Sequence, residues 1–157
     1  MKILKAEIED LQEIYRLQKE AYISEAEIHN NYSIQPLTQT FEEVKKEFAG
    51  AIVLKAVNED GRIVGSVRGI ADGGTLYIGK LMVHPDFQNR GIGKKLLASI
   101  EELFPDLRYE LFTSTKSDKN LAVYMKSGYK EFKRKYMPDG VNFVYMQKNA
   151  GRTAITN

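Results

Sequence analysis

Between Ala51 and Val83 the chain carries three runs of apolar and β-branched residues, separated by Glu59-Asp60-Gly61-Arg62 and Asp72-Gly73-Gly74. Short runs closed by Asp-Gly and Gly-Gly turns are strands that fold back on one another, so the middle of the chain is expected to form an antiparallel meander. On either side the apolar period lengthens. Leu11, Ile14, Leu17 and Ala21 share one helical face. Phe41, Val44 and Phe48 form the stripe of a second helix, opened by a Thr40–Glu43 capping box and ended at Gly50. Residues 25–38 are polar, contain Pro36 and read as a surface loop. After the meander, Ile92, Leu96, Ile100 and Leu103 recur at helical spacing up to Pro105. A strand over 107–114, a short helix over 118–127 closed by Gly128, and strands over 129–136 and 141–146 complete the chain. The order β-α-α-β-β-β-α-β-α-β-β implies an α+β (mixed α/β) fold with a mostly antiparallel sheet flanked by helices.

A length of 157 residues suits one domain, expected over 1–148, with a polar and frayed tail over 149–157. The start, MKILKAEIED, meets an acid at Glu7, leaving no room for the apolar core of a secretory signal, and no apolar run approaches the ~18 residues of a membrane span. The expected location is the cytoplasm. Cysteine is absent, which excludes disulfides, thiolate metal sites and a cysteine nucleophile. The two histidines, His29 and His84, lack ligand spacing, so no metal is expected. A net charge of +2 gives no reason to expect a nucleic-acid partner.

The segment that carries chemistry is LYIGKLMVHPDFQNRGIGKKLL. A strand ends at Val83, and Gln88-Asn89-Arg90-Gly91-Ile92-Gly93 then leads into a helix. A helix start exposes unpaired N–H groups and the positive end of the helix dipole, and glycines let a phosphate oxygen approach the backbone. Arg90, Lys94 and Lys95 add positive charge at that same end, which is sensible where a polyanion sits. A surface turn explains the glycines equally well when their spacing is taken alone. A Walker A loop fails because no Ser or Thr follows Gly93-Lys94, and a dinucleotide fingerprint fails because Leu96 stands where the third glycine belongs.

Gln88-x-x-Gly91-x-Gly93 after a Val83-His84-Pro85 strand end resembles the acyl-CoA signature of the GNAT superfamily of N-acetyltransferases. Asn120-Leu121-Ala122-Val123-Tyr124 running to Gly128-Tyr129 is similar to that family's second signature, and the element order matches the family's over most of the chain. The resemblance implies acetyl-CoA as co-substrate, with its pyrophosphate on the backbone of Gln88, Asn89, Arg90, Gly91, Ile92, Gly93 and Lys94. It places the pantetheine arm along Leu81, Met82 and Val83, where the sheet splays and a freed N–H would polarise the thioester carbonyl. Asn120 would bind the arm or the following helix start. Tyr124 would be the general acid, although its position on the face of Leu121 and Met125 also suits a core residue. The acetyl group would pass to an amine by direct attack in a ternary complex. A homodimer through the C-terminal strands is a further expectation of the resemblance.

Many family members carry a glutamate two residues before the position of Leu81, and this chain has Gly79 there. Glu25 and Glu27 remain as base or substrate-binding candidates, followed by His29. His84 reads as structural. Glu20, Glu25 and Glu27, with Tyr22 and Tyr32 among them, suit a cationic amine acceptor or simply a solvated face. Arg68 could bind an acceptor carboxylate or pair with an acid. Phe132 and Tyr136 are expected to face inward from a strand whose lysines and arginine are solvated. The loss of the carboxylate at Gly79 keeps one rival, a non-catalytic acyl-CoA-binding sensor on the same scaffold; a nucleotide-phosphate-binding protein is the other.

Overall fold

The computed structural model describes residues 1–151. Strand β1 (Lys2–Lys5) leads into helix α1 (Leu11–His29), a short helix α2 (Gln35–Thr38) and α3 (Phe41–Ala49). The meander follows as β2 (Ile52–Val57), β3 (Ile63–Asp72) and β4 (Thr75–Val83). The chain closes with α4 (Ile92–Glu102), β5 (Arg108–Ser114), α5 (Asp118–Lys126), β6 (Lys130–Lys135) and β7 (Phe143–Lys148). Asn149 and Ala150 lie outside any element and Gly151 is a turn, while the rest of the expected frayed tail falls outside the described residues. Among the described residues, no helix is long and apolar enough to cross a membrane.

The seven strands form one sheet in the order β1-β2-β3-β4-β5-β7-β6. Every neighbouring pair is antiparallel except β4 and β5, which are parallel. That single parallel pair decides the architecture, since β4 and β5 are in register only from Thr75–Arg108 to Tyr77–Glu110. Beyond those residues the strands part, and a cleft opens between Ile78–Val83 and the second half of β5.

Alternation along β2 sends Val53 to one face and Leu54 and Ala56 to the other. The first face packs under Ile14, Leu17 and Ala21 of α1. The second packs on Ile92, Leu96, Leu97 and Ile100 of α4 and on Tyr124 of α5. A Cβ at Gly65 would lie 2.9 Å from Leu96 Cδ1 and 3.2 Å from the Met82 carbonyl, and one at Gly69 would lie 2.8 Å from Ile100 Cδ1. Glycine at these two positions lets α4 lie close against the sheet.

Two expectations from the sequence are corrected. Residues 25–29 are not loop: α1 continues to His29 and stops where Asn30 turns left-handed at φ 47°, its N–H donating to the carbonyls of Ala26 and Glu27. Nothing before Asn30 breaks the helix, and the fully buried Ala26 keeps its last turn anchored. The other concerns Phe132 and Tyr136, which do not face inward. Phe132 is 38% exposed and Tyr136 71%, because β6 is the outermost strand and a register shift between Glu131 and Lys133 breaks its alternation. The capping box at Thr40 is formed, with Glu43 N–H donating to Thr40 Oγ1 and Thr40 N–H to the Glu43 carboxylate.

Candidate active site

The extended α1 spans the opening of the sheet. Its Ala21 packs with Met82 of β4, while Glu25 and His29 reach the far side, where Ser117 Oγ donates to Glu25 and His29 Nε2 lies 2.6 Å from Ser114 Oγ. Tyr22, Glu25 and His29 follow the i, i+3, i+7 spacing of one helix face and look into the cleft.

Two cavities meet beneath that helix. One, of about 690 Å3, runs from Leu81, Met82 and Val83 past the turn of Gln88, Asn89, Gly91, Ile92, Gly93 and Lys94 to Val123 and Lys126 of α5. The other, of about 620 Å3, lies between the parted strands. Tyr22, Glu25, Leu81, Asn120 and Tyr124 line both.

The turn at the first cavity is tightly coiled. Asn89 and Gly91 both take positive φ, 64° and 78°, so the backbone coils tightly before α4 begins. Gln88 Nε2 donates to the Val83 carbonyl at 3.2 Å and ties the turn to the strand end. A Cβ added at Gly93 would meet only Val83 Cγ2, at 3.8 Å, and one at Gly91 would meet nothing within 4 Å. The start of α4 is therefore open on this side, with no side chain over its first N–H groups from Gly91 or Gly93.

Between the cavities β4 is bulged. Arg68 pairs with Gly79 and Ser66 with Met82, so Lys80 and Leu81 together oppose the single residue Val67. Lys80 takes the left-handed φ of 49° that makes the bulge. A bulge of this kind interrupts the ladder at Lys80 and Leu81, and Leu81 lines both cavities.

Tyr124 is 5% exposed. Burial raises its hydroxyl above the ordinary range, and the neighbouring Tyr22 and Glu25 raise it further, so the phenol keeps its proton at neutral pH. Tyr22 is raised in the same way, first by burial, against the opposing charge of Arg68. Glu25 accepts from Ser117 Oγ at 2.7 Å on both oxygens and from Asn120 Nδ2 at 3.4 Å, so its carboxylate sits at the N-terminus of α5.

Residues 19–150 match the family model described as the acetyltransferase (GNAT) domain. The chain belongs to the GNAT acetyltransferase family. PaiA N-acetyltransferase from Thermoplasma acidophilum, solved in complex with coenzyme A, is 21% identical, with a TM-score of 0.78 over 94% of this chain and 98% of that one. The ribosomal-protein-S18-alanine N-acetyltransferase of Escherichia coli is 14% identical, at TM-score 0.78 over 95% and 93%. Phosphinothricin acetyltransferase from Sinorhizobium meliloti, in complex with AcCoA, is 16% identical, at TM-score 0.77 over 99% and 91%. These TM-scores establish a common fold. A search of the curated proteins finds no match.

Within this GNAT domain, most of the residues singled out from sequence come together. Arg90 does not line the cavity of its neighbours; its guanidinium lies 5.1 Å from the ring centroid of Phe87. Glu27 is exposed and lines only the cavity at the α4 turn. The acidic cluster of Glu20, Glu25 and Glu27 is dispersed, for Glu20 turns away to His84 at 2.6 Å. His84 is buried, its Nδ1 accepting from the Asp86 N–H.

Arg68 pairs with an acid, namely Glu47, at 2.8 Å. Glu47 also accepts from Gln39 Nε2 at 2.6 Å, and Lys80 Nζ lies 3.5 Å away. Arg68 Nη2 donates to Gln18 Oε1, whose amide donates in turn to Gln39 Oε1. Burial pushes the Glu47 carboxyl up, but the Arg68 hydrogen bond, the Lys80 charge and Gln39 together hold it below the usual carboxylate range. Burial lowers the Lys80 ammonium against the pull of Glu47. Glu47 and Lys80 line the cavity between the strands and were not anticipated as site residues. The available signal was Gln18, a polar residue on the apolar stripe of α1 that required a buried partner.

Proposed function

We propose that the chain is a cytoplasmic N-acetyltransferase that takes the acetyl group of acetyl-CoA and passes it to an amine by direct attack, with both bound at once. The observation that carries the reading is the meeting of the two cavities at Tyr22, Glu25, Leu81, Asn120 and Tyr124. Acetyl-CoA would supply the acyl group as a thioester.

The residues divide the work by position. The backbone N–H groups of the Gln88–Lys94 turn hold the pyrophosphate, and Leu81, Met82 and Val83 offer a strand edge to the pantetheine arm. A bulge N–H at Leu81 faces the carbonyl oxygen as negative charge develops on it. Tyr124 gives its proton to the departing thiolate. Burial opposes the charged phenolate, so Tyr124 is a proton donor that must be re-protonated promptly. Glu25 is the carboxylate common to both cavities, and it takes the proton of the attacking amine while Ser117 and Asn120 fix its orientation.

Thermal unfolding with and without acetyl-CoA, followed by assays of thiol release with an amine panel, tests the reading. Coenzyme at 100 times its dissociation constant should stabilise the fold by ~2.7 kcal/mol, where ATP and NAD do not. Tyr124→Phe is expected to lower kcat about 10²- to 10⁴-fold with coenzyme affinity retained. Absence of any coenzyme shift would overturn the assignment; a shift without transfer to any amine would restore the sensor.

A further inference from the structure

The cavity between the strands has a wall made of aromatic rings. Phe112 of β5 meets Phe143 of β7 edge-on at 5.2 Å and stacks on Tyr145 at 5.1 Å. These three belong to the sheet face opposite the buried Leu111, Val144 and Met146, and Phe112 is left 51% exposed. Ile34, Pro36, Met137 and Val141 add apolar surface around them. On the strand side Gly79 presents no side chain, and a Cβ there would meet nothing within 4 Å. The space is continuous with the residues that face the thioester.

The carboxylates around this cavity differ in what holds them. Glu47 is held by Arg68, Gln39 and Lys80, and Glu25 by Ser117 and Asn120. Asp139 Oδ1 accepts from the Val141 N–H. Lys80 and Lys135 contribute positive charge to the lining. A polycation entering here would meet the ammonium groups of Lys80 and Lys135 along with the carboxylates. A single amino group on a flat apolar body would find rings to stack on and one carboxylate at the junction.

We propose that the acceptor is a primary monoamine carried on an aromatic ring, stacked against the exposed ring of Phe112 with its nitrogen toward Glu25 and Tyr124. This rests on the acetyltransferase reading above and names the substrate class of the same site.

The test compares 2-phenylethylamine, ethylamine, spermidine, kanamycin and a short peptide with a free N-terminus as acceptors of the acetyl group. The expected result is a kcat/KM for 2-phenylethylamine at least about tenfold above each of the others. Phe112→Ala should lower kcat/KM for 2-phenylethylamine about tenfold more than for ethylamine, chiefly through KM. Phe112→Tyr should restore the preference. The coenzyme-induced thermal shift verifies that each variant is folded. A preference for spermidine, kanamycin or the peptide, or an equal loss for both simple amines in Phe112→Ala, overturns the proposal while leaving the acetyltransferase intact. No coenzyme shift in the wild type overturns both.

Discussion

Two glycines open α4, and they do different things. Gly91 holds a φ of 78°, where any side chain is strained, so a substitution there disturbs the backbone as well as the cradle. Gly93 has open space for a side chain, carries no positive φ, and is the cleaner probe. Gly93→Glu is expected to fold and to weaken coenzyme affinity about 100-fold, since it sets a carboxylate at the proposed pyrophosphate site; isothermal titration with CoA measures this. Glu47 makes a second prediction at this scale. Its carboxyl is held below the ordinary value of 4.5, so its stabilising contribution is complete above that pH and is lost as pH falls through the lowered value. Glu47→Gln should cost about 2 kcal/mol near neutral pH. The difference from wild type should shrink in acid, as urea unfolding across a pH series would show. Arg68 is only 4% exposed, so the charge left beside the neutral amide is what makes the loss substantial.

Among the elements, the strands of the meander, the α4 stripe and the Thr40 cap were legible because each is written within a few residues. The end of α1 was not. Pro36 and a polar run suggested a loop from Glu25, whereas the helix persists until the left-handed Asn30, and that extra turn is what carries Glu25 and His29 over the cleft. A splay of the sheet along Leu81, Met82 and Val83 was expected only through the family resemblance, and the bulge falls at Lys80 and Leu81. Close approach of α4 to β3 yields a prediction of its own. Gly65→Ala sets a methyl against Leu96 and the Met82 carbonyl, and should destabilise the fold by about 1–3 kcal/mol. Because Met82 belongs to the strand that bears the bulge, the same variant should lose catalytic rate beyond its loss of stability, read as kcat at a temperature where it remains folded.

Across the whole molecule, the insertion of β7 between β5 and β6 and the parting of β4 from β5 are long-range facts that no local period contains. They decide which residues meet: the Glu47–Arg68–Gln18 network joins α3, β3 and α1, and nothing in their spacing announces it. The outer strand β6 exposes Lys130, Lys133, Arg134 and Lys135 along its length. Such an edge resists continuation of the sheet into a second copy. Light scattering at low ionic strength is accordingly expected to give a monomer mass, in place of the homodimer through the C-terminal strands that the resemblance implies, and a dimer mass would overturn this prediction. The common wall of the two cavities carries one more consequence. The same five side chains would touch an occupant on either side, so on the proposed reading the two ligands are thermodynamically linked. The factor by which the coenzyme changes the affinity of the amine must equal the factor by which the amine changes that of the coenzyme.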